Sequence, residues 1–164
     1  MPLFENKPGV YLDHHFKTME FFVDKWDPSW EEMQHLANEL KHADVLVTYA
    51  TTLAIEAAIN NTPIVNINFK APGEPENSGP FFGMYYQSSH YTDIAKSGTT
   101  RFADSRESLK QEVNRYLHNP ALETVERQKI AERLAYVQDG KAGERLANFL
   151  LKELDESLKM RHAN

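Results

Sequence analysis

The residue types that could carry chemistry gather in one short stretch, from Tyr49 to Glu56. Thr51 and Thr52 offer hydroxyl groups, and the small side chain of Ala50 would let a phosphate approach the backbone. Glu56 lies early in a predicted helix, where its carboxylate could accept hydrogen bonds from ribose hydroxyls. The stretch therefore predicts a site for a nucleotide-like ligand. A second interpretation stays open, because threonines cap helices and glutamates favour helix N-termini without any ligand.

A strand, a helix and a second strand must position these residues. β-forming residues occupy 45–49, an alanine-rich run predicts a helix over 53–59, and a second apolar run follows at 64–69. This order is that of a βαβ unit, and the mostly apolar strands predict a parallel sheet covered on both faces. In open α/β sheets, ligands bind at the carboxyl ends of the strands. The turn at 50–52 would lie there, beside the free amide N–H groups of the first helical turn.

Cap residues and hydrophobic spacing predict the remaining elements. Ser29 and Glu32 are expected to form one capping box, and Asp104 with Glu107 is expected to begin a later helix. In the last helix, a core-facing stripe is expected from Leu146, Phe149 or Leu150, and Leu154. The other predicted elements are a strand at 10–12, an aromatic loop at 14–26, a helix to about 41, a long loop at 70–83, a short helix at 91–96, an edge strand at 100–103 and helices at 124–137 and 142–159.

Other side chains with ligating or catalytic potential are isolated in the sequence. Adjacent His14 and His15 would point to different sides of an extended chain, and no nearby carboxylate pair completes a metal site. We expect His35 to be solvated and His42 to interact with a helix dipole, so no metal site is predicted. The segment 88–90 lacks an orienting acid for a nucleophile. Four aromatic residues could either close over a ligand or pack under the long loop: Phe81, Phe82, Tyr85 and Tyr86.

Composition excludes several functional classes. The 164 residues carry a net charge of −6, which argues against the basic surface of most nucleic-acid-binding proteins. The chain has no cysteine, so disulfides, thiolate zinc sites and a cysteine nucleophile are excluded. No apolar run approaches the roughly 20 residues of a transmembrane helix, and no signal peptide is recognisable. These features predict a soluble, cytoplasmic globular domain without a transmembrane segment.

Two motifs resemble the nucleotide-binding half of GT-B glycosyltransferases, a half-fold shared by bacterial UDP-N-acetylglucosamine 2-epimerases. The first motif includes Asp44-Val45-Leu46-Val47-Thr48, Thr51-Thr52, Glu56-Ala57-Ala58 and Thr62-Pro63-Ile64-Val65. The second is Asp139-Gly140-Lys141-Ala142-Gly143-Glu144-Arg145, which is also similar to the ends of capsule and teichoic-acid transferases related to CDP-glycerol glycerophosphotransferases. The resemblance covers residues 30–151, and the two motifs occur in the family's order.

The resemblance implies a fold and a set of site residues. The fold would be a Rossmann-like α/β half with a parallel sheet of about four strands flanked by helices and a C-terminal helical cap. Tyr49, Ala50, Thr51 and Thr52 would hold the diphosphate of a sugar nucleotide, and Glu56 would hold its ribose. Gly73 and Glu74 would lie near the sugar or acceptor. The donor nucleotide is a substrate, so no cofactor is implied.

The resemblance also implies a missing half. Epimerases have a Ser-Gly-Gly turn where this chain has Ala50-Thr51-Thr52, and barely 40 residues precede the strand at 45–49. We therefore expect one domain, residues 1–164, that is the C-terminal portion of a larger two-domain enzyme, with an irregular segment at 1–28. It would be inactive alone, would need an N-terminal domain or partner subunit, could form a homodimer, and could reach the inner face of a membrane through a partner.

Three functions remain open at this point. The first is sugar-nucleotide binding for a glycosyltransferase that makes a surface polysaccharide. The second is the same donor site in a portion of an epimerase-like enzyme. The third is a non-catalytic, flavodoxin-like interaction module whose helix N-terminus binds no nucleotide.

Overall fold

The computed structural model describes residues 7–13, 28–70, 73, 85–89 and 91–162. The chain divides into two compact units, Met1–Glu39 and Leu40–Asn164. The second unit holds all strands of the described residues and is an α/β unit with a three-stranded parallel sheet flanked by helices. The predicted α/β class is therefore confirmed, whereas the described sheet has three strands instead of about four.

The first unit includes a turn and most of helix α1 (Trp30–His42). The predicted strand at 10–12 is wrong: these residues belong to no strand, and Tyr11 is 95% exposed, so no core packing holds the segment extended. The predicted capping box is confirmed, because the Ser29 amide donates to Glu32 Oε2 at 2.6 Å and the Glu32 amide donates to Ser29 Oγ at 3.2 Å. The aromatic loop predicted at 14–26 lies outside the described residues.

The predicted βαβ unit is confirmed by β1 (Leu46–Thr48), α2 (Leu53–Ile59) and β2 (Ile64–Ile67). Strand β1 pairs with β2 in parallel, with Leu46 opposite Ile64. Helix α2 ends in a Schellman motif: the Thr62 amide donates to the Ala57 carbonyl at 2.8 Å, and Asn61 has a positive φ of 57°. This ending turns the chain back into β2.

Only one of the two predicted strands is covered on both faces. Residues 64–66 of β2 are buried, whereas Val47 in β1 is 41% exposed. Strand β1 lies at one edge of the described sheet, in the order β1-β2-β3, and an edge strand has fewer neighbours to bury its side chains. The prediction of two-sided burial is therefore right for β2 and wrong for β1.

The second half of the sheet follows a short helix. Helix α3 (Thr92–Lys96) precedes β3 (Thr100–Ala103), which pairs with β2 in parallel and is an edge strand, as predicted. Helix α4 (Arg106–His118) begins one residue later than predicted, because Ser105 and Ser108 form the capping box in place of Asp104 and Glu107. Asp104, directly after β3, instead accepts a hydrogen bond from Asn68, directly after β2.

The core lies on both sides of β2. Val65 packs with Ala103 of β3 and Tyr116 of α4, all of which are fully buried. On the other side, Asn66 donates to Thr100 Oγ1 at 2.9 Å and accepts a hydrogen bond from the Tyr91 hydroxyl at 2.9 Å. Alternation of side chains along the strand therefore separates an apolar contact from a polar network.

Two further helices follow α4. Helix α5 (Thr124–Ala135) packs against α2, and its Arg127, Ile130 and Ala131 are buried. Helix α6 (Ala142–His162) is confirmed in position, but its predicted core stripe is wrong, since Leu146, Leu150 and Leu154 are 55–59% exposed. Their spacing is that of an apolar helix face, yet the described residues provide no surface that buries it.

Within the described part of the chain, no helix is both long and apolar enough to cross a bilayer.

Candidate functional site

The candidate site lies at the carboxyl edge of the parallel sheet, where β1, β2 and β3 end. Each strand is followed by a polar or aromatic side chain: Tyr49 after β1, Asn68 after β2 and Asp104 after β3. Parallel strands present their carboxyl ends at one edge, so the fold brings these three positions to the same side of the unit. This is the edge that the sequence predicted for the ligand.

The turn between β1 and α2 differs in one respect from the sequence prediction. The amide groups of the first helical turn were expected to be free, but the Leu53 amide donates to Thr51 Oγ1 at 3.4 Å and the Ala54 amide donates to the Thr51 carbonyl at 3.1 Å. The Ile55 amide donates to the Thr52 carbonyl at 2.8 Å. The tight turn uses these donors internally. Binding of an anion would therefore draw on the threonine hydroxyls more than on the backbone.

The two threonines differ in their surroundings. Thr51 is half-buried and its hydroxyl already accepts the long hydrogen bond from Leu53. Thr52 is the N-cap residue of α2, but its side chain makes no capping hydrogen bond and is exposed. Ala50, half-buried before them, places only a methyl group beside the turn. The Thr52 hydroxyl is the better positioned of the two to contact a ligand.

Glu56 carries the least expected feature of this region. Its Oε2 atom is out of contact with solvent and accepts no hydrogen bond from any residue that the structure describes. A buried carboxylate oxygen without a donor is costly, and most such atoms in folded proteins are satisfied. A ligand hydroxyl is one group that would supply the donor.

Tyr49 and Tyr86 lie close together at the same edge. Tyr86 is buried, its hydroxyl donates to the Ile67 carbonyl at 2.6 Å, and its ring meets Phe102 edge to face at 4.9 Å. Burial, with Tyr91 and Tyr49 nearby, raises the pKa of Tyr86 above its usual range. Tyr86 is therefore packed into the unit, while the 44% exposed Tyr49 presents its side chain at the surface.

Sequence reasoning missed a polar pair at this edge. Asn68 Nδ2 donates to Asp104 Oδ1 at 2.5 Å, and both residues are exposed. Asp104 was interpreted as a helix cap, but it contacts a residue 36 positions away. The available signal was positional, because Asp104 directly follows one predicted strand and Asn68 lies near the carboxyl end of another.

The predicted loop residues are mostly outside the described ranges. Gly73 is exposed and has a φ of +89°, which favours glycine, whereas Glu74 is not among the described residues. The structure therefore brings together Tyr49, Ala50, Thr51, Thr52 and Glu56, and leaves the predicted role of Gly73 and Glu74 as a prediction.

The second motif of the resemblance forms a local turn at the start of α6. Asp139 accepts hydrogen bonds from the Lys141 amide at 3.0 Å and from Arg145 at 2.9 Å. The bond from the Lys141 amide has the largest effect, and together with the bond from Arg145 it lowers the pKa of Asp139 below its usual range. The motif leads into the last helix, and its Asp139 and Arg145 side chains pair with each other.

A separate cavity of about 330 Å3 lies at the β3 edge, lined in part by Arg101, Glu112 and Glu123. Arg101 pairs with Glu123 and lies 3.5 Å from Glu112, and the hydrogen bond to Glu123 raises the pKa of Arg101. Opposite charges alternate in this group. Arg101 thus lies between two carboxylates beside the fully buried Tyr116 ring, and Glu112 Oε2 and Glu123 Oε2 are buried without a hydrogen bond from the described residues.

In the first unit, Asp13, His35 and Glu39 form a group that could hold a metal ion, since one ligand atom from each lies within 4.8 Å of the others. His35 Nε2 is 3.2 Å from Glu39 and 3.6 Å from Asp13, so His35 is not merely solvated as expected. All three side chains are 28–45% exposed, which is typical of surface ion pairs. His14, His15 and His90 lie outside the described residues.

Comparisons of the chain with protein-family models, with curated proteins and with solved structures found no match.

Proposed function

We propose that this chain is the sugar-nucleotide-binding portion of a GT-B glycosyltransferase. The observation that carries the proposal is the buried, unpartnered Oε2 atom of Glu56, in the first helix after the first strand of a parallel sheet. A ribose hydroxyl would donate to that oxygen. The donor nucleotide would thus satisfy an atom that the described residues leave without a hydrogen bond.

The diphosphate would lie over the turn between β1 and α2. The Thr52 hydroxyl, which makes no capping bond, and the Thr51 hydroxyl would donate to phosphate oxygens. Ala50 leaves space for the phosphate beside the backbone. In a transferase, donors held in place before reaction stabilise the negative charge that develops on the departing nucleoside diphosphate.

The proposal includes a partner half. Acceptor binding and the catalytic base would come from an N-terminal domain or a partner subunit, and the chain would be inactive without it. The acceptor would be a growing surface polysaccharide, which places the complex in the cytoplasm at the inner face of the membrane.

Titration calorimetry with UDP, CDP and GDP, followed by thermal unfolding at millimolar nucleotide, tests the proposal. One nucleotide should bind and raise the melting temperature by mass action. In Glu56→Gln, the affinity for that nucleotide should fall about tenfold, because a charge-assisted hydrogen bond contributes about 1.5–3 kcal/mol and the amide retains part of it.

Glu126→Gln is the matched control, since Glu126 is a half-buried glutamate in the first turn of α5, and its carbonyl accepts a hydrogen bond from Thr99, directly before β3 and so at the opposite edge of the sheet. It makes the same charge change away from the candidate site and should leave affinity unchanged. If no nucleotide binds the wild-type chain, or if both variants weaken binding equally, the proposed site is wrong.

A further inference from the structure

Helix α6 carries a continuous apolar row on its surface. Leu146, Leu150, Leu154 and Leu158 recur at every fourth residue and are 43–59% exposed. Phe149 and Leu151 beside the row are exposed to a similar degree: 58% and 62%. Scattered apolar side chains are common on protein surfaces, but a contiguous set of this kind marks an interaction surface.

The same helix has a polar side opposite the row. At 100° per residue, successive members of the leucine row advance by about 40°, so the row turns by about 120° around the helix over a little more than three turns. Asn148, Lys152 and Lys159 lie on the opposite side by the same geometry. Lys152 and Glu156 form an exposed i,i+4 pair there, 3.8 Å apart. The polar side of α6 therefore faces solvent, and the leucine row is a side that the described residues leave uncovered.

The leucine row together with Phe149 and Leu151 offers enough apolar area for a small interface. These six side chains leave roughly half of their surface in solvent, which amounts to about 500 Å2 per copy. Two copies facing each other would bury about 1,000 Å2, which is about the minimum expected of a biological interface.

The spacing of the row favours a second copy of this chain as the occupant. The four leucines are placed symmetrically about position 152, so in an antiparallel pair Leu146 meets Leu158 and Leu150 meets Leu154. Rows at every fourth residue also form the ridges that interdigitate in the commonest class of helix packing.

The charge of the helix is also compatible with its own copy. Within α6, four acidic residues are balanced by four basic ones: Glu144, Glu153, Asp155 and Glu156 against Arg145, Lys152, Lys159 and Arg161. The whole chain has a net charge of −6, so its acidic excess lies outside α6. Two α6 helices can therefore meet without repulsion between like net charges.

We propose that the leucine row of α6 is the interface of a homodimer in which the two α6 helices pack antiparallel. The pairing covers each row with the same row of a second copy, related by a two-fold axis near position 152. Such an isologous contact closes on itself and does not extend into a fibre.

Sedimentation equilibrium of the full chain, over a concentration series from micromolar to near-millimolar, tests the association. The wild-type chain should reach a dimer. Leu150→Glu with Leu154→Glu should raise the dissociation constant at least about 100-fold, because carboxylates in the interface lose hydration without gaining a partner.

The double variant Asn148→Glu with Lys159→Gln is the matched control, since it makes the same change in net charge on the polar side of α6. It should leave the dissociation constant within a fewfold of the wild-type value. A wild-type chain that stays monomeric throughout, or a dimer that tolerates both double variants equally, overturns the proposal.

Cross-linking tests the orientation. The chain has no cysteine, so a single cysteine introduced by Ala147→Cys or Ser157→Cys is unique. In an antiparallel pair position 147 meets position 157, and a short bis-maleimide should join the two different variants more readily than two copies of either. Preferential joining of identical variants would indicate a parallel pair and overturn the assigned geometry.

Discussion

Two charged side chains that pack at helix α2, the fully buried Arg127 and the half-buried Glu56, have opposite surroundings. Arg127, from α5, is fully buried and donates four hydrogen bonds: to Asn61 Oδ1 at 2.9 Å, to the Leu122 carbonyl at 2.7 Å, to the Pro120 carbonyl at 3.2 Å and to Thr124 Oγ1 at 3.1 Å. Glu56 buries a carboxylate oxygen with no hydrogen bond from the described residues. The Arg127 charge therefore has hydrogen-bond partners within the fold, whereas the described residues provide none for Glu56 Oε2.

The difference separates a structural charge from a candidate binding group. Arg127 holds the C-terminal end of α2 through Asn61, whose left-handed backbone forms part of the Schellman ending. Its planar guanidinium supplies several donors in a fixed geometry, which suits a cluster of backbone carbonyls. The Glu56 Oε2 atom is an acceptor that receives no hydrogen bond from the described residues, so a ligand hydroxyl would be a suitable donor. The two residues should therefore respond in opposite ways to substitution.

The largest effect is expected for Arg127→Met. The variant keeps much of the side-chain volume but removes the donor to two backbone carbonyls and to the Asn61 side chain, in hydrogen bonds that are partly buried. We expect the free energy of unfolding to fall by about 3–4 kcal/mol, measured by urea denaturation.

Arg133→Met on the same helix is the control. Arg133 is 62% exposed and pairs with Asp93 at 2.8 Å, so its loss should cost less than about 1 kcal/mol. Similar losses in the two variants would mean that the Arg127 network contributes no more than a surface ion pair. Arg127 would then not be a structural charge.

The second-largest effect is the contribution of Tyr91 to the free energy of unfolding, which depends on pH. Its hydroxyl donates to Asn66 Oδ1, and burial raises the pKa of Tyr91 to about 12. A tyrosine in the unfolded chain titrates near 10, so the folded state favours the neutral phenol. This contribution is complete below about pH 10 and is lost as the pH rises from about 10 to about 12.

Denaturation at pH 8 and between pH 10 and 11.5 measures this contribution. Wild-type stability should fall across the alkaline range, with about 2 kcal/mol of the loss belonging to Tyr91. Tyr91→Phe should lose less over the same range, although it starts about 1 kcal/mol lower because Asn66 loses a donor. Tyr11→Phe, at a 95% exposed position, should follow the wild type. A variant with the wild-type alkaline slope would contradict this assignment.

Local signals in the sequence predicted the elements that local chemistry decides. Helix α2 and strand β3 have the predicted bounds, and the Ser29–Glu32 capping box forms as expected. The helix after β3 was displaced by one residue, because Ser105 competes with Asp104 for the N-cap position and Asp104 binds Asn68. Neighbouring cap candidates cannot be ranked without that distant contact.

Burial was harder to predict than secondary structure. The apolar row of α6 was expected to face the core, but spacing identifies an apolar face and not what covers it. Arg127 was missed because its partner Asn61 is 66 residues away, and a lone arginine in a helix is usually solvated. The position of the candidate site was predicted, since the carboxyl edge follows from the βαβ order alone, whereas the state of Glu56 Oε2 depends on packing.

Glu56→Gln should have the smallest effect on stability. The substitution removes a charge from a buried oxygen that no described residue stabilises, so no hydrogen bond to that atom is lost within the fold. We expect the free energy of unfolding without nucleotide to change by less than about 0.5 kcal/mol, because relief of desolvation offsets any loss elsewhere on the side chain. Urea denaturation beside Arg127→Met measures both under the same conditions. A loss of about 2 kcal/mol or more would show that Glu56 is satisfied within the folded chain. Its carboxylate would then be a structural charge like Arg127, and weaker nucleotide binding by the variant would reflect damage to the fold.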